Sequence, residues 1–151
     1  MATACQKETF SGRSTANNYN ADCRSNPYFS GDLFSWCAVA RFADQLCPYP
    51  WRVPTRQDFI DLDIAMGGTG SYRADTPQFV QDNYITRWGG HLGGFRLWCH
   101  ILGDLEFSGG YWSQSLAYYF GAYRLGFHTN GNVWPINRGN MHYGLPLRCV
   151  R

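Results

Sequence analysis

The sequence predicts one α+β domain, with two helices packed on a small twisted antiparallel sheet and long loops, and three observations lead there. Aromatic residues make up 17% of the chain and charged residues only 16%, which is the wrong chemistry for a helical bundle or coiled coil, since those draw on Ala, Glu, Lys and Leu at helical period. Two segments between Asp32 and Met66 place apolar residues at helical spacing between capping residues. From Trp88 onward, glycines cut the chain into short aromatic runs, the texture of strands joined by turns. The same aromatic density excludes disorder, because Trp and Tyr at this frequency bury too much area to stay solvated.

The first thirty residues, including Arg13 to Asn20 and Asn26-Pro27, are polar and turn-rich and read as an irregular lead-in. Asp32 is placed to cap a helix on which Leu33, Trp36, Cys37, Ala40, Ala43 and Cys47 share a face, and Pro48 and Pro50 stop it. A second helix starts at Thr55, an N-cap with Asp58 three residues on; Phe59, Leu62 and Met66 form its apolar face and Gly67-Gly68 ends it. Asp58, Asp61 and Asp63 on this helix read as its solvated face. Thr76-Pro77 opens a short third turn with Phe79, Val80 and Tyr84 as apolar contacts. Strands are expected over Gly110 to Ser113, Tyr118 to Phe127, Asn132 to Pro135 and Leu145 to Val150, with Thr129-Asn130-Gly131 supplying a tight hairpin. No repeat or linker interrupts this order, so 1–151 reads as one domain.

Composition and spacing remove several functions. The net charge of +2 is spread over scattered arginines with a single lysine, Lys7, so neither nucleic-acid binding nor a polybasic membrane patch is indicated. No apolar run approaches the roughly 18 residues of a membrane helix, and Met1 to Cys5 lacks the charged and apolar regions of a signal peptide. Six cysteines without a Cys-x-x-Cys pair argue against a zinc ribbon or thioredoxin-like motif; one or two bridges across a real core fit better, with the pairing open. Ser113 and Ser115 have no nucleophile elbow, and His91, His100, Asp104 and Glu106 match no standard metal spacing. Gly67 to Gly70 lacks the lysine and preceding strand of a phosphate loop. No catalytic residue, metal or cofactor is expected.

Recognition chemistry is expected instead. Between Gln114 and Tyr143 stand Tyr118, Tyr119, Phe120, Tyr123, His128, Asn130, Asn132, Trp134, Asn137, Asn140, His142 and Tyr143. Tyr and Trp give large contact area at small entropic cost, and Asn and Ser give adaptable hydrogen bonds. Three bulky residues in succession, as in Tyr118 to Phe120 and Met141 to Tyr143, cannot all point inward from one strand.

The segment Cys47-Pro-Tyr-Pro-Trp-Arg-Val-Pro-Thr55 resembles the Cys-Pro-x-Gly-Trp-Arg-Val-Pro-Thr signature of the Fibrobacter succinogenes major paralogous domain. Gly94 to Arg96, Gly110 to Ser113, Ala122 to Phe127 and Gly144 to Val150 resemble its later blocks, so the likeness covers 31–151. That family is a branch of the C-type-lectin fold, which also resembles formylglycine-generating-enzyme domains and the variable proteins of diversity-generating retroelements. The resemblance implies a C-type-lectin-like scaffold with Trp51, Arg52, Pro54, Tyr111, Trp112, Arg148 and Cys149 as framework, a Cys47 to Cys149 disulfide, and a variable binding region over 96–148. Its implied ligand contacts are Leu97, Trp98, His100, Gln114, Leu116, Tyr118, Tyr119, Phe120, Tyr123, His128, Trp134, Ile136, Asn137, Met141, His142 and Tyr143. Pro50 replaces the usual Gly, and the calcium-sugar motifs of lectins are absent. After Glu106 the chain has neither Lys nor Glu, residues that adenine-directed change of an AAC or AAT codon cannot produce. The implied function is non-enzymatic recognition of a protein or cell-surface glycan, at an extracellular or cell-surface location or on a virion. A formylglycine-type oxidoreductase and a static phage-tail or pilus-tip module are the alternatives.

Overall fold

A computed structural model describes residues 33–96, 102–117 and 121–151. The lead-in, Asp32, Cys5, Cys23, Cys99 and the expected contacts Leu97, Trp98, His100, Tyr118, Tyr119 and Phe120 lie outside the described residues.

The first helical segment is two short helices where one was expected: α1 (Trp36–Arg41) and α2 (Ala43–Leu46). Ser35 is the cap, its side chain accepting from the Ala38 N–H at 3.3 Å. Phe42 breaks the run, leaving helical geometry at φ −112° and ψ 25°. This turn keeps Ala43 and Leu46 against the core that α1 enters with Trp36, Cys37 and Val39. The second helix, α3 (Arg56–Ala65), begins as its sequence predicts, with a capping box in which Thr55 and Asp58 satisfy each other's backbone N–H; such a cap contributes about 1 kcal/mol. Arg52 reinforces it with two hydrogen bonds to Asp58, at 2.6 and 2.8 Å. Thr76 caps α4 (Pro77–Phe79), but the expected short turn continues as a π-helix over Val80–Arg87 that buries Val80 and Tyr84.

Strands β1 (Arg73–Ala74), β4 (Ser108–Leu116), β5 (Gly121–His128) and β6 (Asn132–Asn140) form one antiparallel sheet in the order β1-β6-β5-β4. The two-residue strands β2 (Phe95–Arg96) and β3 (Leu102–Gly103) pair separately. The expected hairpin joins β5 to β6, with Gly131 at φ 102° donating to the His128 carbonyl. Gly131 is required there, since a Cβ would collide with the Asp75 carbonyl. Residues 145–150 do not form the expected strand; they make single bridges, Phe34 to Leu145 and Arg52 to Val150. Cys149 is nevertheless fixed, because it forms a disulfide with Cys47 across 102 residues.

Adjacent residues of a strand face opposite ways, and the sheet accordingly carries two cores. Trp112 and Ala122 pack with Trp36, Val39, Met141 and Leu145 on one side. Tyr111, Leu125, Phe127 and Val133 pack with Phe59, Val80 and Tyr84 on the other. Of the expected framework residues, Tyr111 and Trp112 are buried in these cores, whereas Trp51 is 48% exposed: its backbone closes a turn with Pro48 while its ring stays outside both cores.

Asp63 also departs from expectation. It is fully buried rather than solvated. Its carboxylate accepts from the Tyr84 hydroxyl, from Arg73 at 2.7 Å and from the Gly70 N–H at 2.8 Å, tying α3 to the π-helix and to β1. No helix among the described residues is long and apolar enough to cross a membrane.

Candidate binding site

The site is built by an irregularity in the sheet. Arg124 on β5 pairs with Asn137 on β6, while Gly126 pairs with Trp134, so three steps along β6 span two along β5. In a regular strand residues three apart face opposite ways; the extra residue of this bulge turns Trp134 and Asn137 to the face that carries Arg124. Pro135 sits inside the bulge, where a residue without an N–H is tolerated within a sheet.

Glycines on all three long strands leave room for the Arg124 side chain. A Cβ on Gly139 would stand 3.0 Å from Arg124 Cδ, and one on Gly110 would stand 3.0 Å from its Nη1. The floor beside it is Gly126: a Cβ there would lie 3.6 Å from Trp134 Cε3, 3.7 Å from Arg124 Nη1 and 3.7 Å from Asn137 Nδ2. Around this bare backbone opens a cavity of about 230 Å³, lined by Phe95, Asp104, Arg124, His128, Trp134 and Asn137 with Ser108, Gly109, Gly126 and Phe127.

The walls are held by neighbours outside the cavity. Trp134 stacks on Tyr72 at 5.5 Å, Phe95 stacks on Tyr143 at 5.8 Å, and His128 stacks on Phe107 at 6.3 Å. His128 Nδ1 accepts from the Asn130 N–H, which fixes the ring. The Arg124 guanidinium lies 5.6 Å from the Phe95 ring centre, and its Nε is buried with no hydrogen-bond partner. The described ion pairs involve Arg52 and Arg73, not Arg124. Burial lowers the Arg124 pKa from its ordinary value, while Tyr143 and Asp104 act in the opposite direction. Arg124 as a whole is half-buried, and a buried guanidinium N–H left without an acceptor costs about 1–3 kcal/mol, so the orphaned Nε adds nothing to stability.

The expected contacts divide between two places. Trp134, Asn137 and His128 line the cavity, and Tyr143 reaches it through Phe95. Tyr123 faces away, under the Arg56 guanidinium at 4.8 Å. Gln114 is near that second place, donating from its side chain to the Val53 carbonyl at 3.2 Å. Ile136 is half-buried at the bulge, and Leu116 packs against the first core. His142 is half-buried in the turn after β6, its N–H donating to the Asn140 side chain. Met141 is a correction: it is 3% exposed, packs in the first core and accepts from the Trp36 N–H through its carbonyl. The reason is that β6 ends at Asn140 and the chain turns inward towards α1.

Sequence reasoning missed Arg124 and Phe95, and weighed Asp104 only as a metal ligand. Gly126 and Pro135 were the available signals, a glycine within a strand and a proline in its neighbour, which together mark a bulge and a close approach.

A larger cleft of about 360 Å³ lies between α3 and the chain end, among Phe59, Leu62, Trp88 and Arg148. Its cation is already committed: Arg148 covers the Trp88 ring at 4.5 Å and donates to the Trp88 carbonyl at 2.6 Å. Among the described residues, no three His, Cys, Asp or Glu side chains converge as a metal site. No family model, curated protein or solved structure matches this chain.

Proposed function

We propose that the chain is a non-enzymatic binding protein, a C-type-lectin-like scaffold that presents an aromatic, amide-rich surface to a protein or glycan outside the cell. The observation that carries this reading is the convergence of Trp134, Asn137 and Arg124 around the bare floor of Gly126. Flat groups beside a few oriented polar ones are the chemistry of a ligand site. Further support comes from the Cys47–Cys149 disulfide, which suits an oxidising compartment and is the pairing that the family resemblance implies. The lack of Lys and Glu after Glu106 supports diversification by a retroelement.

The test is binding of the immobilised chain to panels of glycans and cell surfaces, repeated with a Trp134→Ala/Asn137→Ala variant whose fold is checked by circular dichroism. Loss of binding by about tenfold or more is expected for contacts at the centre of a recognition site; unchanged binding by the folded variant rejects the reading. For the retroelement origin, the expected genomic observation is a template repeat differing from the coding region for 96–148 only at adenines. Differences at other bases would reject that origin.

A further inference from the structure

Arg124 is the arginine among the described residues that line the cavity. Its Nε is buried and unpartnered, whereas the other described arginine with a buried unpartnered nitrogen, Arg73, is held by Asp63 and Asp75. Carboxylates satisfy a guanidinium most completely, through two parallel N–H···O bonds. Asn137 Nδ2 points over the same floor and supplies a further donor. Asp104 at the rim can only accept, so it calls for a ligand that also carries hydroxyl donors. Phe95 and Trp134 present apolar ring surface, which suits the C–H face of a saturated ring. The cavity, at about 230 Å³, is below the roughly 300–1,000 Å³ of sites for drug-sized ligands and matches one ring.

We infer that the cavity over Gly126 binds an acidic sugar residue, its carboxylate on Arg124, its hydroxyls on Asn137 and Asp104, and its ring against Trp134 and Phe95. The inference rests on the proposed binding function and names the ligand class of that site. Neither half of the ligand suffices: a carboxylate alone leaves Asp104 and the ring walls unused, and a neutral sugar leaves Arg124 unpaired.

The test follows the Arg124 Nε–H signal by NMR in the full chain during titration with glucuronate, glucose and acetate, each alone. Glucuronate is expected to shift that signal and the Trp134 indole signals together in one saturable transition, with an affinity at least about tenfold above acetate and with no saturation by glucose. Arg124→Gln is expected to weaken glucuronate by about tenfold or more. Gly126→Ala keeps the charge and meets only ordinary contacts of 3.6–3.7 Å; it should also weaken binding because it raises the floor. Acetate binding as tightly as glucuronate would overturn the sugar assignment in favour of a simple anion hole. Absence of saturation with glucuronate would overturn the inference outright, while the Trp134→Ala/Asn137→Ala comparison on cell surfaces decides the binding function separately. Glucuronate affinity unchanged in folded Arg124→Gln would place the sugar elsewhere and reject the site.

Discussion

Arg124 stands opposite Asn137 across the β5–β6 ladder, and the residue beside them with no side chain, Gly126, leaves the space between their polar ends open. A strand position between Tyr123 and Leu125 normally turns a charge to water; here Phe95 covers it. The arrangement leaves the Arg124 Nε without an acceptor, and measurable consequences follow.

Replacing Arg124 by Met should stabilise the protein. The substitution removes a half-buried cation whose Nε has no acceptor and keeps most of the volume, and freeing the interior of an unsatisfied donor is worth about 1–3 kcal/mol. At this chain length each kcal/mol raises the melting temperature by about 2–4 °C. Differential scanning calorimetry checks this, and a lower melting temperature would mean that the guanidinium is paired in solution.

Asp63 should behave oppositely to Asp61, although both lie on α3. Asp63→Ala takes the buried carboxylate from the Tyr84 hydroxyl and leaves Arg73 only Asp75, and removing one partner of a buried pair in this way costs about 3–5 kcal/mol. Asp61 is exposed, and Asp61→Ala should stay within about 0.5 kcal/mol. Urea unfolding of the two variants provides the comparison. Gly68→Ala should also destabilise, because its Cβ would run into the Asp63 carboxylate.

Much of the local architecture was legible because it depends on neighbours in the chain. Thr55 with Asp58, Thr76 with Pro77, and Asn130-Gly131 each determine their own turn or cap. Asp63 was not legible, since helical spacing gives its face but not the arrival of Arg73 and Tyr84 from elsewhere. The two-residue strands β1, β2 and β3 are too short to show any alternation. Trp134, Asn137 and His128 were named as candidate contacts from composition, but the cavity they share comes from a bulge that only strand pairing defines. Arg124 was missed for the same reason: its neighbours at the site come from β2, β4 and β6.

Acid should weaken the start of α3. The Arg52 guanidinium, with Thr55, holds the Asp58 carboxyl well below its ordinary pKa. A group with a lowered folded pKa contributes stability above its unfolded pKa, about 4 for Asp, and loses it as pH falls towards the folded value. Melting temperature should therefore decline below about pH 4, with a shallower decline in Asp58→Asn. Equal slopes in the two proteins would exclude Asp58 as a source of the acid sensitivity.

Alkali should act through Tyr84. Burial, and then the hydrogen bond to Asp63, push its phenol far above the ordinary value, so the neutral form is favoured in the folded state. That contribution is complete below the unfolded pKa of about 10 and falls as pH rises beyond it. Tyr84→Phe should lose the Asp63 hydrogen bond at neutral pH, yet show a flatter stability profile from pH 9.5 to 11 on the order of one proton less released. Ultraviolet difference titration of the wild type should show a tyrosine step that appears only on unfolding and is smaller by one group in Tyr84→Phe.

The Cys47–Cys149 bridge closes a loop of 102 residues, and removing it with Cys47→Ser/Cys149→Ser should cost about 2–5 kcal/mol. Guanidinium denaturation of the variant against the oxidised wild type measures this. A cost near zero would show that the bridges Phe34 to Leu145 and Arg52 to Val150 hold the chain end without it.

The most direct measurement is a crystal structure of the chain grown with glucuronate. The predicted result is a carboxylate paired with the Arg124 guanidinium and a ring lying over Gly126 between Trp134 and Phe95. Arg124 turned onto Asp104, with the cavity closed by the protein's own side chains, would contradict it.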